Sequence, residues 1–292
     1  MLLSISLTVM AAGLLSATLV RFAPGFGIDE RELDPRLNVD SVREIRQSRG
    51  EGQSVILFYT RYLRNLVHGD LGKSAAFGRP VGELLRDRIP ASAMAVGSGL
   101  ACGWMFGLGL ASMAVLWAPA LDIAGSGLTA LCLSAPAPVL ALLFVFAGHN
   151  TGTDTAHIAF PVAAVVALVV FPRVFRYVRG ILAQVSGMPH VLAAHTRGLG
   201  RLRILLTHVL TPSAPSILAL AGVSVSVAFG AAIPIEVICD YPGIGQLAWK
   251  AALERDLPLL IDITLLVTIM ATVSNSVAEM AGAWLSPRGA SA

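Results

Sequence analysis

Gly72-Lys73-Ser74 is the first group of residues whose types could carry chemistry, because it ends like a phosphate-binding loop. The ATPase form of that loop needs a further glycine five positions before Gly72, so that successive backbone N–H groups surround a phosphate. That position is Val67. We therefore reject ATP binding at this loop and expect that the chain does not hydrolyse ATP alone.

The histidines and cysteines are the next candidates, as metal ligands or catalytic bases. His190 and His195 are five residues apart and do not share a helix face well, and the sequence has no His-Glu-x-x-His motif. It also has no Gly-x-Ser-x-Gly motif and no recognisable Ser/His/Asp set, and its three cysteines lack metal-ligand spacing. We predict no catalytic residue and no metal site, so we do not expect an enzyme.

The composition indicates a membrane body joined to one water-exposed segment. The chain has 292 residues, of which 55% are hydrophobic and 13% charged, and its mean hydropathy is +0.73. Soluble domains carry about 25% charged residues. The stretch from Arg21 to Arg88 holds 12 of the 21 Lys+Arg and 10 of the 18 Asp+Glu. The net charge of +3 is too small to indicate a nucleic-acid partner.

Six apolar stretches approach or exceed the roughly 20 residues that a helix needs to cross a bilayer. We therefore predict an all-α integral membrane protein with six transmembrane helices. The fourth stretch is short, but it can continue through Val178 with a kink at Pro172. The first could be a cleaved signal peptide, yet it lacks a basic start and a clear cleavage site, so a retained helix is favoured. The stretches are Leu2–Val20, Ala91–Ala118, Ile123–Ala147, Ile158–Phe171, Pro215–Ile238 and Leu259–Leu285.

Arginine placement predicts the orientation. The segment after the fourth helix is rich in arginine, and no acidic residue lies from Pro172 to Pro212. Short loops with excess Lys and Arg face the cytoplasm, so six spans place both termini there. The segment from Arg21 to Arg88 then lies outside the cell. The arginines concerned are Arg173, Arg176, Arg179, Arg197, Arg201 and Arg203.

This topology divides the chain into three segments. Residues 1–20 are the first helix, residues 21–90 an extracellular helical cap, and residues 91–288 a five-helix core with a cytoplasmic loop at about 180–212. Charge and apolar spacing predict three helices in the cap, the last two amphipathic. They are Val39–Arg49, Ser54–His68 and Val81–Ile89.

The cytoplasmic loop is the most informative stretch. Pro189 can begin a helix and Gly198 can end it. The small residues Ala193 and Ala194 between them allow a partner to approach closely, and Arg197 adds a basic end. One hypothesis is a docking helix for another protein. The other is a loop on the headgroups whose arginines reach anionic lipid, and the residues alone favour neither.

The same loop resembles a known signature. Ala193-Ala194-x3-Gly198, followed by His208 and Pro212, is similar to the cytoplasmic signature of binding-protein-dependent ABC importer permeases. In that family the short helix is the coupling helix, which docks into a groove on the ATPase subunit. Leu192 stands where the family often has an acidic residue. The residues for which the resemblance implies ATPase coupling are Pro189, Leu192, Ala193, Ala194, Arg197, Gly198 and Leu199.

Other stretches resemble the dipeptide/oligopeptide/nickel branch of that family. Each is weak alone, but together, in order from Phe22 to Arg288, they are specific. They are Phe22-Ala23-Pro24-Gly25; Tyr62-x-x-Asn65-Leu66-x-His68-Gly69-Asp70-Leu71-Gly72-x-Ser74; Pro80-Val-x-Glu-Leu-Leu-x-x-Arg88-Ile-Pro90-Ala91; Glu236-x4-Tyr241-Pro242-Gly243-Ile244-Gly245; Arg255-Asp256-x-Pro258; Asn275-x3-Glu279; and Ser286-Pro287-Arg288.

The resemblance implies the transmembrane permease subunit of an ATP-driven importer in the bacterial inner membrane, with peptides as the modal solute. It implies as partners a second, related permease, two ATP-binding cassette subunits, an extracellular solute-binding protein and membrane lipid. It implies no cofactor in this chain, since the partner subunits bind ATP. The alternatives are a permease for nickel chelates or another small solute, and a non-transporting membrane scaffold. A stand-alone secondary transporter would need internal repeats, and no repeat is convincing.

Polar residues inside the apolar stretches are costly unless they face protein or water. We predict that Glu236, Asn275 and Glu279 line or brace the translocation path. Asp262 lies near a helix end, and we expect it to reach water or headgroups.

Two further groups of residues have predicted roles. The resemblance implies that an extracellular loop, containing Tyr241, Pro242, Gly243 and Gly245, faces the binding protein or covers the gate. Small residues allow close helix packing in membranes, so the glycines of the second span predict tight helix contact there. These glycines are Gly97, Gly99, Gly103, Gly107 and Gly109.

Overall fold

The computed structural model describes residues 2–22, 55–116, 119–150 and 159–285. Within these ranges the backbone is helical apart from turns and one isolated antiparallel bridge. The predicted all-α fold is confirmed. The predicted helix at Val39–Arg49 lies outside the described residues. The helices are α1 (Leu2–Phe22), α2 (Val55–Val67), α3 (Val81–Leu116), α4 (Pro119–Ser134), α5 (Ala137–Asn150), α6 (Ala159–Ser186), α7 (Pro189–Thr196), α8 (Arg201–Ile204), a π-helical turn (Leu205–Leu210), α9 (Thr211–Ile238), α10 (Ile244–Leu253) and α11 (Leu257–Leu285).

Four stretches of the described chain are long and apolar enough to cross a membrane: Val81–Val115, Ala159–Ser186, Arg201–Ile238 and Leu257–Leu285. The bent pair α4 and α5 makes a fifth span if its two halves cross together. α1 has 21 residues and is the remaining candidate. The count of six transmembrane helices therefore stays a prediction.

The third predicted span is not one continuous helix. The sequence predicted it over Ile123–Ala147, but α4 and α5 are bent by 93° at the break between Ser134 and Ala137. Pro136 explains the break, because proline removes a backbone donor and disfavours helical geometry at the residue before it. With 16 and 14 residues, each half is shorter than the roughly 20 residues that a bilayer requires.

Two long helices extend further than predicted. α3 joins the predicted helix at Val81–Ile89 to the second span, with Pro90 inside it. Pro90 has no N–H for the Arg86 carbonyl, but Arg86 is exposed, so that carbonyl can reach water. α6 continues past Pro172 to its end. The amphipathic helix predicted at Ser54–His68 is confirmed as α2.

The chain folds as two compact units, each built from two stretches of sequence. Unit 1 comprises residues 1–90 and 246–269, and unit 2 comprises residues 91–245 and 270–292. Unit 1 thus contains α1, α2 and the first part of α11. Unit 2 contains the helices from α4 to α9 and the last part of α11, so the predicted docking segment belongs to unit 2.

A glycine brings α1 and α2 together in unit 1. A Cβ on Gly13 would lie 2.5 Å from the Tyr59 hydroxyl oxygen, so only a glycine leaves room for that side chain. The hydroxyl donates to the Met10 carbonyl at 2.8 Å. Close approach and a hydrogen bond to the backbone together hold the two helices.

Two buried aspartates hold the cap segment on the start of α11. The Tyr62 hydroxyl donates to Asp262, which is 3% exposed. The prediction that Asp262 reaches water or headgroups is therefore wrong, because α2 covers it. Burial, together with the Asp262 charge, raises the pKa of Tyr62. Asp256 is 1% exposed and accepts from the Ser74 hydroxyl and from the Ala76 N–H at 3.1 Å.

Three glycines bring α3 against α6 in unit 2, as predicted for the second span. The prediction is wrong for Gly97 and Gly109, where an added Cβ would meet no atom within 4 Å. Contacts recur every four residues, pairing Gly99 with Val166, Gly103 with Val170 and Gly107 with Val174. A Cβ on Gly107 would lie 2.8 Å from Val174. The residue numbers of the contacting pairs increase together along both helices, so α3 and α6 run in the same direction. Two parallel spans need a return crossing between them, and the α4–α5 pair is the segment that connects them.

Candidate functional site

The predicted docking helix forms as α7, eight residues long, two residues after α6. Pro189 is its first residue. The N–H at that position makes no hydrogen bond within a helix, so proline, which lacks it, costs nothing there. Gly198 follows the helix with φ of +72°. Its N–H donates to the His195 carbonyl at 3.0 Å, and the Leu199 N–H donates to the Ala194 carbonyl at 3.4 Å. These two bonds are a Schellman motif, which favours glycine at the left-handed position.

α7 has one face against protein and one open face. Val191 is 1% exposed and Ala194 3%, whereas Leu192 is 67% exposed and Ala193 is also exposed. At 3.6 residues per turn, Ala193 points away from the buried pair. The two alanines therefore differ: Ala194 packs into the core, and Ala193 is open to a partner.

A histidine fastens α7 to the π-helical turn. His190 Nε2 lies 3.0 Å from the His208 carbonyl oxygen, so that nitrogen donates. In an α-helix the His208 carbonyl would accept from the residue four positions later. That residue is Pro212, which has no N–H to give. The proline thus leaves an acceptor that His190 of α7 uses. Helical turns of the π type are frequent at functional sites.

The arginines around α7 are not equivalent. Arg179 pairs with Asp122 through both Nε and Nη2, and both side chains are partly exposed. Leu199 is half-buried and packs against the same core as α7. The other predicted arginines are exposed, and they are Arg173, Arg176, Arg197, Arg201 and Arg203.

Glu236, near the end of α9, is the centre of a second site. It is fully buried, with 0% exposure. Its Oε1 accepts from the Ser92 hydroxyl at 2.6 Å, and its Oε2 accepts from the Gly245 N–H at 2.7 Å. Ser92 Oγ in turn accepts from the Ile244 N–H at 2.7 Å. One carboxylate thus joins α9, the first turn of α10 and α3, through hydrogen bonds that its charge strengthens. We call these four residues the Glu236 network.

The loop that follows α9 is buried rather than open. Tyr241, Gly243 and Gly245 are buried, and Pro242 is half-buried. The Tyr241 hydroxyl donates to the Ala91 carbonyl at 3.0 Å. Burial, together with the nearby glutamate charge, raises the pKa of this tyrosine.

Gly243 of this loop and Gly245 of α10 leave room for the carboxylate. A Cβ on Gly243 would overlap the Glu236 carboxyl group. A Cβ on Gly245 would lie 2.6 Å from the Ile233 Cα and 3.0 Å from Glu236 Oε2. The glycines are therefore required by close approach, and neither has the positive φ that favours glycine in tight turns.

Asn275 and Glu279 of α11 lie in different surroundings from Glu236. Asn275 faces Gly222 of α9, and its Oδ1 is buried with no hydrogen-bond partner among the described residues. Gly222 and Ser274 line a groove of about 440 Å³ between α3, α9 and α11. Glu279 is exposed. The three residues predicted as one set thus differ: Glu236 is fully buried, Asn275 lies beside the groove and Glu279 is exposed. Their role in the translocation path stays a prediction.

The sequence reasoning missed Ser92 and Asp122. Ser92 is a small polar residue at the start of an apolar stretch, directly after the quoted Pro90-Ala91. Asp122 was the more visible, because it is the only acid in the sequence between Asp87 and Asp154. A lone acid beside apolar stretches signals a specific cationic partner.

Residues 99–290 match the family model of binding-protein-dependent transport system inner membrane components. The match covers more than half of the chain and includes α7, the π-helical turn and Glu236. The chain belongs to this family. It is therefore a multi-pass inner-membrane permease subunit of a transporter, with the family's all-α fold. Membership implies an ATPase and a solute-binding protein among its partners.

Relatives extend this similarity along most of the chain. A Brucella suis protein named "Putative peptide permease protein" is 27% identical over 302 residues, covering 96% of this chain and 94% of the relative. A Brucella abortus protein named "Putative peptide transport system permease protein" is 26% identical, covering 81% of this chain and 84% of the relative. The oligopeptide transport system permease protein OppB of Escherichia coli K12 is 27% identical, covering 87% and 85%.

Proposed function

We propose that this permease subunit is one of two related permeases in a peptide importer, and that α7 is the helix on which the ATPase subunits act. The observation that carries the proposal is the two-sided geometry of α7. Leu192 and Ala193 are open to a partner, while Val191 and Ala194 are buried and His190 is bonded to the π-helical turn. A partner that displaces the open face would therefore move α6 and α9 as well.

The rest of the proposal follows the family's architecture. Two ATPase subunits bind ATP, this chain needs no cofactor of its own, and a binding protein delivers solute from outside. Both termini and the arginine-rich docking segment lie in the cytoplasm, and the Glu236 network braces the opposite end. The groove beside Asn275 belongs to the path between the two permeases. ATP binding and hydrolysis rock this bundle between inward-facing and outward-facing states.

Peptides are the solute class that the relatives support. The relatives from Brucella and Escherichia coli are named as peptide or oligopeptide permeases. The chain itself carries no specificity argument of equal strength, because the solute would first be selected by a separate binding protein.

The docking role is tested by adding charge to the open face of α7. The chain is co-expressed with a second permease, ATPase subunits and a binding protein from its source organism, and captured ATPase is quantified. Ala193→Arg should reduce capture by about tenfold or more, the loss that ~1.4 kcal/mol of binding free energy produces. Gln184→Arg, an exposed position in the last turn of α6, adds the same charge away from the open face and should not. Equal capture by the two variants would remove α7 from the interface.

The solute is tested in proteoliposomes that contain the assembled complex. An equimolar mixture of di- to pentapeptides and, in a parallel assay, a nickel chelate are offered with the binding protein, and imported species are identified by mass spectrometry. ATP-dependent import of peptides supports the proposal. Import of a nickel chelate in place of peptides would assign the chain to that branch, and import of neither probe by an assembled, ATP-hydrolysing complex would favour a scaffold.

A further inference from the structure

Asp122 and Arg179 form an ion pair between α4 and α6, outside the docking face of α7. Arg179 lies in α6, less than two turns before the chain turns into α7, and Asp122 lies in the first turn of α4. Both Nε and Nη2 of the guanidinium donate to the two carboxylate oxygens. Bidentate pairs of this kind fix the mutual orientation of two side chains as well as their separation.

The selection of this pair is specific. Six arginines lie between Arg173 and Arg203, and the sequence has no acidic residue from Thr155 to Ile235. Asp122 is 57 residues from Arg179 in sequence, and it bonds this one of the six arginines across the contact between α4 and α6. The side chains of Arg179 and Asp122 are 41% and 30% exposed. Partly exposed ion pairs contribute little to stability, so orientation is the more important consequence.

An apolar contact between α4 and α6 lies beside the pair. Gly125 of α4 packs on the Phe175 ring, and a Cβ at position 125 would lie 2.6 Å from it. Helices in a membrane gain no hydrophobic driving force from such contact, because lipid is as apolar as the partner helix. The contact at Gly125 is apolar, and the ion pair adds a directional polar contact between the same two helices.

We propose that the Arg179–Asp122 pair transmits movement of α7 into the bent α4–α5 segment, so that both residues position that segment during transport. The movement passes from α7 through Gly187 and Met188 into α6, across the pair into α4, and past Pro136 into α5. α5 packs on both α6 and α9. The inference rests on the proposed function, since it assumes that an ATPase acts on α7.

The test compares single and exchanged charges in the assembled, reconstituted complex. Asp122→Asn and Arg179→Gln each break the pair, and the double variant Asp122→Arg with Arg179→Asp restores it in reverse. Arg176→Gln removes an exposed charge from the same helix and serves as the matched control. ATPase capture, ATP hydrolysis and import of the same peptide mixture are measured for each, and import per ATP is the readout.

Both single variants should capture the ATPase normally but import at least about fivefold less per ATP, the lower range of coupling between two sites. The exchanged pair should recover most of that loss, and Arg176→Gln should show none. Unchanged import per ATP in Asp122→Asn would overturn the inference while leaving α7 as the docking helix. Loss without recovery in the exchanged pair would also overturn it, since only the paired geometry is restored there. Failure of the Ala193→Arg experiment would instead overturn the proposed function.

Discussion

The Glu236 network and the α7 segment both hold a short stretch of chain against the long helices of unit 2, but their polar contacts differ in burial. At Glu236 one buried carboxylate accepts hydrogen bonds from Ser92 and Gly245, and Gly243 and Gly245 lack the Cβ that would clash with it. At α7 the fastenings are partly exposed: a histidine bonded to a backbone carbonyl, and the arginine pair one helix earlier. The first arrangement excludes water, and the second leaves polar groups accessible.

We therefore expect substitutions in the Glu236 network to affect chiefly the stability of the fold, and substitutions on the open face of α7 to affect chiefly binding to a partner. A buried charged group bonded on several sides is costly to disturb, because each partner is left unsatisfied in the interior. An exposed helix face with small residues contributes little to folding but allows close approach by another protein. Substitutions in the Glu236 network should therefore lower the stability of the isolated chain. Substitutions on the open face of α7 should be detected chiefly in the assembled complex.

The largest expected effect is that of Glu236→Ala. The substitution leaves the Ser92 hydroxyl and the Gly245 N–H without their acceptor. Each buried donor left unsatisfied costs about 1–3 kcal/mol, so the variant should lose about 3 kcal/mol of unfolding free energy. Denaturant unfolding of the purified chain in mixed micelles measures it. Glu279→Ala, on an exposed acid, should change stability by less than about 0.5 kcal/mol, and equal losses would show that the network is not a brace.

The next effect is that of Gly243→Ala. Its Cβ would overlap the Glu236 carboxyl group, so either the loop or the carboxylate must shift. Overpacking of this kind costs about 1–3 kcal/mol. Gly230→Ala is the matched control, because a Cβ there meets no atom within 4 Å and lies on an exposed helix position. We expect the unfolding midpoint to fall for Gly243→Ala and to stay level or rise for Gly230→Ala, and the reverse order would refute the close-contact explanation.

Local chemistry determined which of these features the sequence could predict. Pro189 and Gly198 act on their own backbone, so the start and end of α7 were predictable. α2 was predictable because its apolar spacing is helical. By contrast, the burial of Asp262 depends on Tyr62, which is 200 residues away in sequence, and no local pattern reveals it.

Tertiary packing explains the remaining errors. Ala193 and Ala194 look equivalent in sequence, and only the rotation of α7 against the core buries one and exposes the other. Pro136 was visible, but hydropathy averaged over the third apolar stretch concealed the break. Ser92 acquires its importance from the loop that folds onto it, which neither its type nor its position indicates.

A smaller effect is expected for His190→Leu. The substitution removes the bond to the His208 carbonyl, and a net hydrogen bond contributes about 1 kcal/mol, or about a fivefold change in a local opening equilibrium. Amide hydrogen exchange at Val191 and Leu192 should accelerate by that factor. His195→Leu, on the same helix, is the control, because the described residues provide no hydrogen-bond partner for its side chain. Equal protection in the two variants would indicate that α7 is held by its core contacts alone.

The smallest effect on stability is expected for Leu192→Asp, and it gives the sharpest contrast with Glu236. Leu192 is 67% exposed, so its replacement should change the unfolding free energy by less than about 0.5 kcal/mol. If α7 docks on the ATPase, the same leucine becomes buried there, and burying such a side chain is worth about 1.5–3 kcal/mol. Capture of the ATPase should therefore weaken although the fold does not. A fall in stability without a change in capture would mean that this face of α7 belongs to the fold, and the division between a bracing end and a docking end would fail.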